Sequence, residues 1–354
     1  MPVSAPASAK LEQYSLEPSL CAALATAQAG LARLDLMARL WPPYAKFAIG
    51  PLTARAVIAQ CRLQDLSVEP VSLLSLGPQP EPNRPAKALR WAVGLTRACR
   101  RLEADHHAPL TPSVVTDQCL NLDAPDLARG FVGPLDPPWG QDPAPGSAAW
   151  SLAPRLVQAG LPPLMALGLT CAAWLRDGPD HPHREPLAWV LTYGLGLRLG
   201  LPAAGFLGLG PAVVAAAAAE GGIKRIFKDM RATGAWRQWL GVFFGAVVDC
   251  AGQVLETCLA ARHAAEDHAE VVRAWVRAPR LPLKLMDLLL VRPVLDLPAI
   301  AQELEITQRS AGLLCAKLKE QGLVGEVTGQ KRGKRYAYQA VVELVEEPGG
   351  GAFG

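Results

Sequence analysis

Asp296-Leu297-Pro298-Ala299-Ile300-Ala301-Gln302-Glu303-Leu304-Glu305-Ile306-Thr307-Gln308-Arg309-Ser310 holds two helix starts in close succession. Asp296 is a capping residue type, and Pro298 falls in the first turn, where a missing N–H costs nothing. That helix runs to about Glu305. Thr307 caps a second one, Gln308–Gln321, which Gly322 ends. Working outward, Pro282–Val291 reads as a preceding helix. Val324–Thr328 and Arg335–Gln339 alternate as strands around Gly329–Lys334, a turn that is half cationic.

Helix, helix, turn, helix and hairpin is the order of a winged helix. Its third helix would enter the major groove of double-stranded DNA with Gln308, Arg309 and Ser310 at the base edges. Gln and Arg make bidentate contacts to adenine and guanine. Lys317 and Lys319 follow on the helix, and Lys331, Arg332, Lys334, Arg335 and Tyr336 lie on the wing, where backbone contacts are expected. Residues 281–341 carry nine basic and six acidic side chains, and the rest of the chain balances at 26 of each. The whole formal charge of +3 therefore comes from this segment.

The 354 residues are 50% hydrophobic and 19% charged, with 32 Gly and 32 Pro. That excludes wholesale disorder, a coiled coil and a nucleic-acid binder that works by bulk charge. Mean hydropathy is +0.16, which raises a membrane question. The longest uncharged stretch, Leu199–Ala219, is built largely of Ala and Gly, contains Pro202 and Pro211 and follows the apolar run Leu187–Leu197 after Arg198, so the two runs read as a pair of buried core helices. Met1–Ser19 lacks the basic and apolar regions of a secretory signal, and the expected compartment is the cytoplasm. Eight scattered cysteines without a CxxC fit reduced, mostly buried thiols, Cys250 and Cys258 among them.

The expected fold is mainly α. A tail (1–19) precedes a helical region (20–102) whose apolar stripe includes Leu24, Leu31, Leu34 and Leu40, with a break at Trp41-Pro42-Pro43. A Pro-rich insertion follows (103–148), then a helical core (149–278), the winged helix (279–345) and a second tail (346–354). Within the core, Ala232–Leu259 is strongly helical, with Trp236, Trp239, Leu240, Phe243 and Val247 on one stripe. His106 and His107 read as surface residues, and the spacing of His263 and His268 misses a helical metal site, so they read as a solvated face.

His181-Pro182-His183-Arg184-Glu185 resembles the active-site loop of the Fic (Fido-fold) nucleotidyl transferases, whose pattern is HPFxxGNGR. Leu161-Pro162-Pro163-Leu164 is similar to the helix that leads into that loop. Phe227–Leu240 and Phe243–Val247 are similar to the stretch that follows it, and the C-terminal winged helix to an appendage of many members. The resemblance spans about 40–342 and implies a helical Fic-like bundle with His181 as base and Glu185 as metal ligand, using Mg and ATP if active. The phosphate cradle is altered: Pro186-Leu187-Ala188-Trp189 stands in its place, without glycine's freedom, with one N–H fewer and with Trp for Arg. The stretch similar to the family's inhibitory helix, Ala56–Asp65, has Gln64 at the glutamate position.

The sequence is therefore read as a cytoplasmic DNA-binding regulator with a catalytically degenerate Fic-like domain and no cofactor. That domain would serve dimerisation or a protein partner, without membrane contact. The alternative is a Fic-type transferase that moves AMP onto protein hydroxyls.

Overall fold

A computed structural model describes residues 17–75, 87–104, 152–177, 184–233, 236–275, 279–329 and 333–346. The fold is mainly α. The helices are α1 (Pro18–Leu40), α2 (Tyr44–Phe47), α3 (Thr53–Arg62), α4 (Pro70–Leu74), α5 (Lys87–Ala104), α6 (Leu152–Gln158), α7 (Pro163–Asp177) and α8 (Arg184–Arg198). They continue with α9 (Leu209–Ala218), α10 (Ile223–Thr233), α11 (Trp236–Trp275) and α12 (Arg280–Val291). Then come β1 (Val294–Asp296), α13 (Leu297–Leu304), α14 (Gln308–Glu320), β2 (Val324–Glu326), β3 (Arg335–Tyr338) and α15 (Gln339–Glu346). Two compact units divide the chain: Met1–Leu36 with Arg97–Gly252, and Met37–Thr96 with Gln253–Gly354.

In the first unit, Leu20, Leu24, Ala27, Leu31 and Leu34 are buried at alternating spacings of four and three, which keeps one face of α1 in the core. The break at Trp41-Pro42-Pro43 falls where expected, since α1 ends at Leu40. Leu40, expected on the stripe, is 64% exposed, because the buried positions step from Met37 to Trp41. The expected stripe of α11 is observed: Trp239, Leu240, Phe243 and Val247 are all fully buried or nearly so. Trp239 Nε1 donates to the carbonyl of Gly168 on α7 at 2.8 Å. A Cβ on Gly168 would lie 2.8 Å from Phe243 Cδ1, so a glycine is what lets α7 and α11 pack this closely.

Leu199–Ala219 forms a single turn of 3-10 helix at Ala203–Phe206 and the ten-residue α9, both largely buried. Among the described residues, two other helices, Pro18–Leu40 and Trp236–Ala274, are long and apolar enough to cross a membrane by length and composition, with 33% and 56% of their most apolar windows buried. Six of the seven described cysteines are buried thiols outside any disulfide, Cys250 and Cys258 included, and burial pushes Cys61, Cys171, Cys258 and Cys315 up to about 12. Thiols held that high are neutral packing groups, not nucleophiles.

The second unit is built around a three-stranded antiparallel sheet in the order β1-β3-β2. Val294 pairs with Ala337 and Asp296 with Arg335 on one side of β3, while Val324 pairs with Tyr338 and Glu326 with Tyr336 on the other. The hairpin was expected. The edge strand β1 and the C-terminal helix α15 were not.

Side chains alternate across β3, as they must in a strand. Ala337 belongs to a buried cluster with Val294 and Val342, against which Val71 and Leu74 of α4 pack. The segment 37–75 is thus part of the same unit as the winged helix, some two hundred residues away in sequence. Its fit is close: a Cβ on Gly50 would meet the carbonyl oxygen of Val291, at the end of α12, at 2.7 Å. Arg55 of α3 donates to Thr257 Oγ1 at 2.5 Å and to the carbonyl of Leu344 at 3.2 Å.

Candidate nucleic-acid interface

The pair α13–α14 is set by its own caps. Asp296 accepts from the amide of Ala299 at 2.8 Å, and Thr307 accepts from the amide of Ser310 at 3.1 Å. Each bond satisfies one of the orphan donors at a helix start, worth about 1 kcal/mol apiece. Between the helices, Glu305 takes a left-handed conformation (φ 58°), and Ile306 donates back to the carbonyl of Ala301 at 2.9 Å. That reversal makes the tight turn between them.

Helix α14 buries Ala311, Leu314, Cys315 and Leu318 on its inner side. Gln308, Arg309, Ser310, Lys317 and Lys319 are all exposed. At 3.6 residues per turn, Arg309, Leu313, Ala316 and Glu320 fall on one outward stripe, with Lys317 and Lys319 about 80° to either side of Arg309. Two cations flanking a stripe that begins with an arginine suit a groove with phosphates on both walls.

The wing is organised differently. Lys334 Nζ pairs with Glu326 across the hairpin at 3.1 Å, and this hydrogen bond holds the ammonium pKa above its ordinary value. Arg335 Nη1 donates to Ser75 Oγ, at the end of α4, at 3.0 Å. Tyr336 is 6% exposed, beside the buried Cys315 of α14, and burial raises its phenol. Lys331 and Arg332 lie outside the described residues. Of the wing residues expected to touch DNA, Tyr336 is a core residue, and Lys334 and Arg335 already have partners inside the protein.

The charge surplus also needs correcting. Counted on through Glu347, the segment gains Glu343, Glu346 and Glu347 and balances at nine basic and nine acidic residues. Placement, not net charge, distinguishes the outer face of α14.

His268 is not part of a solvated face. Its Nδ1 lies 2.7 Å from the hydroxyl of Tyr338, and the rings are 5.5 Å apart. Burial lowers the imidazole pKa, partly opposed by Asp267. Burial also raises the Tyr338 phenol, so the pair is neutral.

Only some of the residues that carry the Fic-like resemblance fall among the described ones. His181 lies outside the described residues. Glu185 is in the first turn of α8, half-buried, while Pro186 and Trp189 are buried. Gln64 lies just past the end of α3, in the second unit, whereas Glu185 belongs to the first. Among the described residues, no group of three His, Cys, Asp or Glu side chains is placed to hold a metal ion.

No curated protein matches the chain. Residues 281–347 match a family model described as an HTH DNA binding domain, which spans α12 through α15 and stops short of the Fic-like features upstream. The chain therefore carries, at its C-terminal end, a segment similar to helix-turn-helix DNA-binding domains.

Proposed function

We propose that the protein is a transcriptional regulator that reads double-stranded DNA through α14. The observation that carries this is the exposed start of that helix, where Thr307 fixes the backbone, Gln308, Arg309 and Ser310 are exposed, and Arg309 lies between the two flanking lysines. Arg309 is the strongest reader by chemistry, since a guanidinium bonds both acceptors on a guanine edge. Lys317, Lys319, Lys331 and Arg332 would neutralise phosphates. In this reading the protein works in the cytoplasm, uses no cofactor, and keeps its helices within a water-soluble body.

The helical body is read as a silent Fic-like domain that serves self-association or a protein partner. Two things support the silence of that site. The residues at the family's phosphate cradle lack its chemistry, and Pro186 and Trp189 are packed inside α8's surroundings. Calorimetric heat with Mg-ATP, or label transferred from α-labelled ATP, would overturn the silent assignment.

The DNA reading is tested by fluorescence anisotropy of labelled duplexes over a salt series. Four phosphate contacts give a slope of log K against log salt near −3.6, at about −0.9 per contact. Replacing Lys317 or Lys319 by Ala should each reduce that slope by about 0.9. Absence of salt-sensitive binding to any duplex would overturn the assignment.

A further inference from the structure

The recognition stripe of α14 is not uniformly polar. One turn after Arg309 stands Leu313, which is 60% exposed. The other exposed large apolar residues among those described, Leu36, Leu40, Leu259 and Val271, lie on α1 and α11, so Leu313 stands alone on the winged helix. Beside it is Gly312, half-buried at mid-helix. Among the described residues, a Cβ there would meet nothing nearer than Leu297 Cδ1, at 3.8 Å, an ordinary contact. Glycine weakens a helix relative to alanine, and none of the described residues demands it at this position.

We propose that Leu313 reads the C5-methyl group of a thymine in the major groove, and that Gly312 is bare so that the duplex can come close enough for this contact. The inference rests on the DNA-binding reading above and adds the base that the apolar part of the stripe selects. Apolar side chains on recognition helices distinguish thymine by its methyl group, the one methyl that a base edge presents in that groove. The flanking lysines favour a polyanion over an apolar protein surface as the occupant of this face. Arg309 and Leu313 are about 6 Å apart along the helix axis, less than two base-pair steps of about 3.4 Å. The thymine should therefore lie one or two base pairs from the guanine that depends on Arg309.

The test uses the full-length protein and duplexes that it selects from a random pool. Each thymine of a selected site is replaced in turn by deoxyuridine, which removes the methyl group and leaves every hydrogen-bonding atom in place. At one thymine, near the Arg309-dependent guanine, affinity should fall about fourfold, the effect of one buried methyl group. Leu313→Ala should bind the thymine and uracil duplexes equally, with an unchanged salt slope and an unchanged melting temperature. Gly312→Ala should melt higher than the wild type yet bind more weakly.

Binding that is indifferent to uracil at every thymine, or a Leu313→Ala variant that still discriminates, would overturn this assignment while leaving DNA binding standing. A Gly312→Ala variant that binds at full strength would remove the close-approach part. Failure to enrich any duplex would remove the DNA-binding reading and this inference with it.

Discussion

Helix α14 and the wing around β3 both look cationic in sequence, yet they use their cations in opposite ways. Arg309, Lys317 and Lys319 stand exposed on the helix. Lys334 and Arg335 are turned to Glu326 and Ser75. The difference follows from backbone geometry. A surface helix has one inner stripe, so most of its polar positions face water. Strand β3 is covered on both faces: Tyr336 and Tyr338 lie toward Cys315 and His268, and Ala337 toward α4. A cation on such a strand finds a protein partner first. Charge counts alone therefore overstate the DNA-binding surface of the wing.

The contrast can be broken by a double dissociation, in which outward variants change binding and inward ones change stability. The largest expected effect is Arg309→Ala. It should weaken a selected duplex about 10- to 100-fold, or ~1–3 kcal/mol, and relax the preference at one base, with the melting temperature unmoved. A variant with wild-type base preference would remove Arg309 from the readout.

Next is Gly50→Ala, whose added methyl collides with the carbonyl of Val291. Because a backbone atom cannot swing aside, about 1–3 kcal/mol of stability should be lost in denaturant titration. The salt slope of the folded fraction should stay the same.

Arg335→Ala sharpens the comparison directly. Losing the bond to Ser75 should cost about 1 kcal/mol of stability. The salt slope should not change. A slope reduced by about 0.9 would instead return Arg335 to the phosphate contacts.

The smallest effect concerns His268. Its folded pKa lies below the unfolded value near 6.5, so the native state resists the proton. The associated stability is fully present above that unfolded value and declines as pH falls toward the folded pKa. Melting temperature should thus drop between pH 7 and pH 5, and His268→Gln should flatten that part of the profile. An unchanged profile in the variant would show that other groups set the acid limit.

What the sequence disclosed follows a physical pattern. Caps, turns and periodicity act over a few residues, so α12, α13, α14 and the β2–β3 hairpin were legible, as were Asp296 and Thr307 at their helix starts. Val294–Asp296 offers three residues and no alternation to read, and it becomes a strand only by pairing with residues forty positions later. The docking of Val71 and Leu74 on the sheet, and of His268 on Tyr338, comes from distant parts of the chain that no local pattern joins. At the candidate site, residue type suggested Gln308 and Arg309. The roles of Gly312 and Leu313 needed burial and clearance, because a leucine on a helix reads as core until it is found exposed.

The bond from Arg55 to the carbonyl of Leu344 joins residues 289 positions apart. During synthesis at about 5–20 residues per second, the early segment waits roughly 15–60 s before the strands and helices that cover it emerge. Val71 and Leu74 spend that interval without their partners. Nascent chains of this protein should therefore depend on holding chaperones, and a chain that stops before β3 leaves Val71 and Leu74 without the cluster they pack against.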